Sequence, residues 1–168
     1  MDQNQNPYDA PQAPLRESGH GGPALADRGM RLAAAIIDGV IMLMILLPLM
    51  FVGGYFSGIM TGQQPSYGQQ AMWGLIAFIL FLAIQGYPLN ATGQTWGKKM
   101  LKMKIVDLDG NKPPFSKLIA LRYLPTQAIG LIPFLGSIYG LVNVLFIFGE
   151  ERRCLHDLIA GTRVVMAD

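Results

Sequence analysis

Residues 32–56 form an apolar run of 25 residues interrupted by a single charge, Asp38. As a helix rising about 1.5 Å per residue, such a run exceeds the roughly 30 Å of hydrocarbon in a bilayer, so it is expected to cross a membrane. A soluble domain of 168 residues would interleave polar side chains to coat its surface. Here only 14% of residues are charged and 51% are apolar, against about 25% charged in soluble chains. The net charge of +2 is too small to argue for nucleic acid. A lone cysteine, Cys154, excludes an intrachain disulfide and a Cys-rich zinc site.

A second apolar run, residues 71–89, carries Trp73 and Tyr87 near its ends as interfacial anchors and is also long enough to span. The intervening residues 57–70 hold no charge of either sign. All thirteen Lys and Arg lie before or at the start of the first run, in the 90–117 stretch, at Arg122 or near the C-terminus. The positive-inside rule therefore predicts both termini and the 90–114 loop in the cytoplasm, with 57–70 outside.

The last apolar block, 118–148, would make one straight helix of about 46 Å, too long for a single crossing without large tilt, while two full crossings need roughly 40 residues. Pro125, Gly130, Pro133 and Gly136 supply breaks. Helices are expected at about 32–56, 71–89, 115–130 and 134–148, the last two short or re-entrant. Four segments return the Arg-bearing stretch 149–168 to the cytoplasm; three would not. The alternation in MLKMKIVDLDGNKPP and its Asp109-Gly110 turn pair predict a strand at 103–107, with TRVVM at 162–166 the similar segment available to pair with it. The expected fold class is an all-α membrane protein: a small polytopic helical bundle with a small cytoplasmic β-element, its membrane domain covering 28–166. Residues 1–27, rich in Pro, Gln, Asn and Gly, read as a disordered N-terminal tail and lack the basic start and apolar stretch of a signal peptide.

Asp38 is the candidate ion or proton site. A carboxylate inside a membrane helix costs about 2.5–3.5 kcal/mol, so it should face protein or water, be partnered, or be protonated. Arg31 lies seven residues earlier on the same face, roughly 10 Å away, and Arg28 three residues further back. Arg122 and the amide of Asn143 are therefore the candidate partners from other helices. Three roles stand open: a polar lock between helices, proton or cation coupling, and a ligand contact.

His156-Asp157 suggests acid–base or metal chemistry, but the chain's other histidine, His20, sits in the tail, so no metal set of adequate size is expected. Asp157 is expected to cap a helix or pair with an arginine. Gly93-Gln94-Thr95-Trp96-Gly97-Lys98-Lys99 is one residue short of a phosphate loop and has no Ser or Thr after the Lys. A tight turn beside a basic patch fits it better, with Lys98, Lys99 and Lys102 as candidates for anionic lipid headgroups. No nucleophile stands with a base, so neither an enzyme activity nor a cofactor is expected.

These pieces together resemble the RDD family of membrane proteins, named for one arginine and two aspartates. The resemblance rests on Arg31-Leu-Ala-Ala-Ala-Ile-Ile-Asp38, on Gly93 to Lys99 with Lys104-Ile-Val-Asp107 and Asp109-Gly110, on Ala120-Leu-Arg-Tyr-Leu124, and on Leu155-His-Asp157 followed by Ala160-Gly-Thr162. It maps the family arginine to Arg31, with Arg28 the other register, and the aspartates to Asp38 and Asp157. It implies a multi-pass protein of the cell membrane, for which two functions are carried forward. One is a small transporter or exchanger of protons or sodium working through Asp38. The other is a membrane adaptor or accessory subunit that binds anionic lipids, membrane proteins or further copies of itself.

Overall fold

A computed structural model describes residues 23–132, 134–149 and 152–167. Residues 1–22 of the tail expected over 1–27, and the break expected at Pro133, lie outside the described residues. Helix α1 spans Arg28–Val52, α2 Tyr55–Met60 and α3 Tyr67–Thr92. The Asp27 carboxylate caps α1 by accepting from the Gly29 N–H at 2.8 Å, which starts the helix four residues before the apolar run. The expected 32–56 helix breaks at Gly53-Gly54, where Gly54 takes a φ of 74°. Ser66 and Gln69 form a capping box that begins α3 ahead of its apolar run.

α1 and α3 are long and apolar enough to cross a membrane, with mean hydropathies of 2.6 and 1.8 over their most apolar 18 residues. In α1 none of that stretch is buried, and in α3 only 28% is. An apolar surface so little covered by its own chain belongs against lipid or another helix rather than water.

The 90–114 loop contains a helix the sequence did not announce, α4 at Trp96–Met100, before strand β1 at Met103–Asp107. Five residues are too few to print a helical period. Next comes a continuous helical stretch: α5 at Phe115–Lys117, a π-helical segment Leu118–Tyr123 and α6 at Leu124–Gly130. Pro125 has no N–H for the Leu121 carbonyl and its ring crowds that carbonyl, so a widened turn ahead of the proline relieves the clash. α7, Leu135–Leu145, continues as a 3-10 turn over Phe146–Phe148, and α8, Leu155–Ala160, precedes strand β2 at Thr162–Met166.

β1 and β2 pair antiparallel from Met103 opposite Met166 to Asp107 opposite Thr162, the pairing expected from the sequence. The end of the expected tail departs from expectation. The Ala26 N–H donates to the Val164 carbonyl at 3.1 Å and the Met166 N–H to the Ala24 carbonyl at 2.9 Å, so residues 24–26 extend the sheet along β2. The hydrophobic core is gathered here, at one end of the long helices: Ala26, Ala34, Leu89, Met103, Ile105, Leu118 and Val164 are essentially sealed.

Candidate functional site

Asp38 sits where α1, α3 and α4 meet. Its Oδ1 accepts from Gln85 Nε2 at 3.0 Å and from the Gly97 N–H at 2.7 Å, and its Oδ2 accepts from Thr95 Oγ1 at 2.5 Å. Lys98 Nζ stands 3.9 Å from Oδ2. Gly97 makes this approach possible: a Cβ there would strike the Ala34 carbonyl oxygen and lie 3.0 Å from Asp38 Cγ. Gln85 is fully buried and also accepts from the Trp96 N–H at 2.9 Å. The Trp96 indole N–H reaches the Ile84 carbonyl at 2.8 Å. That carbonyl is the one Pro88, inside α3, leaves without its helical donor. The GQTWGK sequence is thus a clasp whose glycine, threonine and tryptophan each contact α1 or α3.

Asp157 is the second buried acid, with no exposed side-chain surface. Its Oδ2 pairs with Arg31 Nη2 and accepts the Cys154 N–H at 3.1 Å, which also caps α8. Its Oδ1 pairs with Arg122 Nη1, which donates in addition to Thr162 Oγ1 at 2.8 Å. Burial pushes the Asp157 carboxyl up, but Arg122 and Arg31 outweigh it and hold the group below the usual carboxylate range. This one side chain ties α1, the π-helical segment, α8 and β2 together.

The family model for the RDD family matches residues 25–161. The chain belongs to the RDD family. An uncharacterized protein of Bacillus subtilis (strain 168), YckC, is 31% identical over 139 residues, 82% of each chain. An uncharacterized protein of Haemophilus influenzae is 30% identical over 115 residues, 68% of this chain and 70% of that one. No solved structure matches.

The RDD residues therefore divide between two clusters. Arg31 meets Asp157, 126 positions away, whereas Asp38, on the same helix as Arg31, belongs to the α3–α4 clasp. The partners expected for Asp38 are elsewhere: Arg122 is bound to Asp157, and Asn143 Oδ1 accepts from the His156 backbone N–H at 3.1 Å and faces His156 Nδ1 at 2.7 Å. Arg28 binds the Ile147, Phe148 and Gly149 carbonyls at 3.2–3.4 Å, closing the end of the 3-10 turn. Lys98 turns inward, only 13% of its side chain exposed, while Lys99 lies over the Trp96 ring at 5.4 Å and Lys102 remains on the outer turn with a φ of 51°. Thr95 enters the sequence reading only as part of the 93–99 turn, and Gln85 goes unremarked there although it is the lone amide within an otherwise apolar run.

Cys154, His156 and Asp157 bring a thiol, an imidazole and a carboxylate within 4.8 Å of one another. Both Asp157 oxygens already accept from guanidinium groups, and a metal cation would sit against Arg31 and Arg122. Burial and Arg122 push His156 down to about 3, so its ring is neutral at ordinary pH, and burial raises the Cys154 thiol. The donor set is that of a charge-paired joint and does not fit a metal centre.

Proposed function

We propose that this RDD-family chain is a non-enzymatic membrane adaptor of the cell membrane, an accessory protein that binds lipid and membrane partners. The observation that carries the reading is the bonding of Asp38. A carboxylate that exchanges protons or sodium needs lone pairs free to trade between water and ion. Three of the roughly four lone-pair sites of Asp38 are taken by an amide, a hydroxyl and a backbone N–H, each fixed by its own second bond or by the chain, and Lys98 Nζ stands 3.9 Å from Oδ2. In this reading Asp38 is a lock between α1 and the clasp, and the uncovered faces of α1 and α3 are the surfaces presented to lipid, to another membrane protein or to a second copy.

The sheet supports the four-segment topology. Residues 24–26, β1 and β2 hydrogen-bond to one another, so they share one side of any membrane the chain crosses. The chain then crosses an even number of times between 26 and 103 and again between 107 and 162. α1 and α3 supply the first pair; the 115–130 stretch and α7 form the short or re-entrant second pair. The Lys and Arg distribution favours the cytoplasm for the sheet and for both ends.

The test is flux. Purified protein in proteoliposomes under imposed proton and sodium gradients is expected to leak no faster than empty vesicles, with Asp38→Asn indistinguishable from wild type. Wild-type flux that Asp38→Asn abolishes, with the variant inserted and folded, would restore the exchanger.

A further inference from the structure

A cavity of about 260 Å³ lies between the first two turns of α1 and the end of α7, at the level of the two acid clusters. Arg28, Arg31, Lys98 and Arg122 line it, and no aspartate or glutamate does among the described residues. Two carboxylates behind the lining face three of these four cations, Asp157 pairing with Arg31 and Arg122 and Asp38 standing 3.9 Å from Lys98. Among the described residues the site therefore keeps an excess of two positive charges in a sparsely hydrated place, where unpaired charge is costly.

Two lining residues have unused capacity. Arg122 is 2% exposed, yet its Nε has no hydrogen-bond partner. Arg28 binds only carbonyl oxygens and has no carboxylate partner among the described residues. Burial and the charge of Arg122 push Lys98 down to about 8, the direction expected of an ammonium held among other cations. The buried Arg122 Nε, a donor left over after the protein's own acceptors are used, calls for an acceptor from outside.

The remaining wall is apolar. Leu32, Val144 and Phe148 line the cavity and are also 50%, 45% and 64% exposed, so it reaches the surface on the flank between α1 and α7. That flank is continuous with the apolar face of α1. The volume falls just short of the roughly 300 Å³ at which pockets for whole drug-sized ligands begin. It takes a headgroup and leaves a chain outside.

We propose that this cavity is a binding site for an anionic amphiphile, a phosphate headgroup held by Arg28, Lys98 and Arg122 with its alkyl chain leaving between α1 and α7 into the bilayer. The proposal rests on the membrane placement of the adaptor reading and deepens it by naming a ligand class and a site. It also reassigns Lys98 from an outer basic patch to an enclosed pocket. Arg31 acts from behind, since Asp157 holds most of its charge.

Protein purified in a neutral detergent would be titrated with dioctanoyl phosphatidic acid, dioctanoyl phosphatidylcholine and inorganic phosphate, reading thermal unfolding and native mass spectra. Saturable binding of the phosphatidic acid with a raised Tm is expected. Arg28→Gln should weaken it about tenfold, the loss of one charge-assisted hydrogen bond, and Lys98→Gln by a similar factor. Arg28 binds carbonyls near the surface, so its variant is expected to fold, and Ala35→Phe, which fills the cavity without touching a charge, should abolish binding while keeping the ligand-free Tm. Lys99→Gln, outside the cavity, should bind as wild type does. Equal binding of phosphatidylcholine would overturn the headgroup site. An equal Tm rise with inorganic phosphate would reassign it to a free anion, and wild-type affinity in both Arg28→Gln and Ala35→Phe would remove the site altogether. These outcomes are independent of flux: lipid binding can fail in a protein that transports nothing, and an exchanger can still bind lipid.

Discussion

Asp38 and Asp157 are both buried acids tied to three or more groups, but they are held by different chemistry. Asp157 faces two guanidinium groups, which donate and never accept. Asp38 faces an amide, a backbone N–H, a hydroxyl that can turn to accept, and a lysine at 3.9 Å. The first site requires a full negative charge; the second requires a shape and a set of acceptors that a neutral amide nearly reproduces. Asp157 is sealed while 17% of the Asp38 side chain is exposed, and the donor-only or amphoteric nature of the partners separates the two acids further.

The largest expected effect breaks the Asp157 joint. Asp157→Asn points an amide N–H at a guanidinium and leaves two buried cations short of an anion, a loss of about 3–5 kcal/mol. Little folded protein should be recovered, as read by size-exclusion yield and thermal unfolding. The steric side of the Asp38 clasp comes next. Gly97→Ala drives a methyl into the Ala34 carbonyl, costing roughly 1–3 kcal/mol as overpacking does, and near-wild-type unfolding would mean α4 does not press on α1. Asp38→Asn should cost only about 1.5 kcal/mol, chiefly through Lys98. A loss equal to that of Asp157→Asn would erase the contrast between the sites.

His156 sharpens the comparison through pH. Its folded value near 3 lies below the ordinary 6.5, so between those values the unfolded chain binds the extra proton. Stability should be full above about 6.5 and fall as pH drops toward 3, by at most about 1.4 kcal/mol per pH unit. His156→Gln should flatten a Tm profile taken from pH 7.5 to 4.5, and an unchanged slope would assign the acid sensitivity elsewhere. The smallest effect belongs to Trp96→Phe. It removes the donor to the Ile84 carbonyl for about 0.5–1 kcal/mol, measurable as a small Tm decrease.

The long helices are legible in the sequence because apolar runs of membrane length have few other uses, and the β1–β2 pairing because two short alternating segments had only each other. α4 and α8 are too short to show a period, and each is fixed instead by a cap and a cross-chain bond, Thr95 to Asp38 in one and Asp157 to Arg122 in the other. The resemblance to the RDD family points to Arg31, Asp38 and Asp157 but not to their partners, because the contacts run between residues from 35 to 126 positions apart. Helical phase puts Arg31 and Asp38 on one face of α1. Two turns of separation are enough to deliver them to different clusters.

The π-helical segment Leu118–Tyr123 has a consequence for how this chain tolerates length changes. A π turn holds one more residue than the α turn it replaces, and each residue in an α-helix turns the chain by about 100°. Removing the exposed Ala120 would let the turn close to α geometry with one residue fewer, so that Phe115 and Leu118, packed in or against the core, keep their phase relative to Arg122, whereas adding a residue there would swing them about 100° away from it. Deletion of Ala120 is therefore expected to leave Arg122 on Asp157 with a near-wild-type Tm, and a one-residue insertion beside it to be as damaging as loss of the arginine itself.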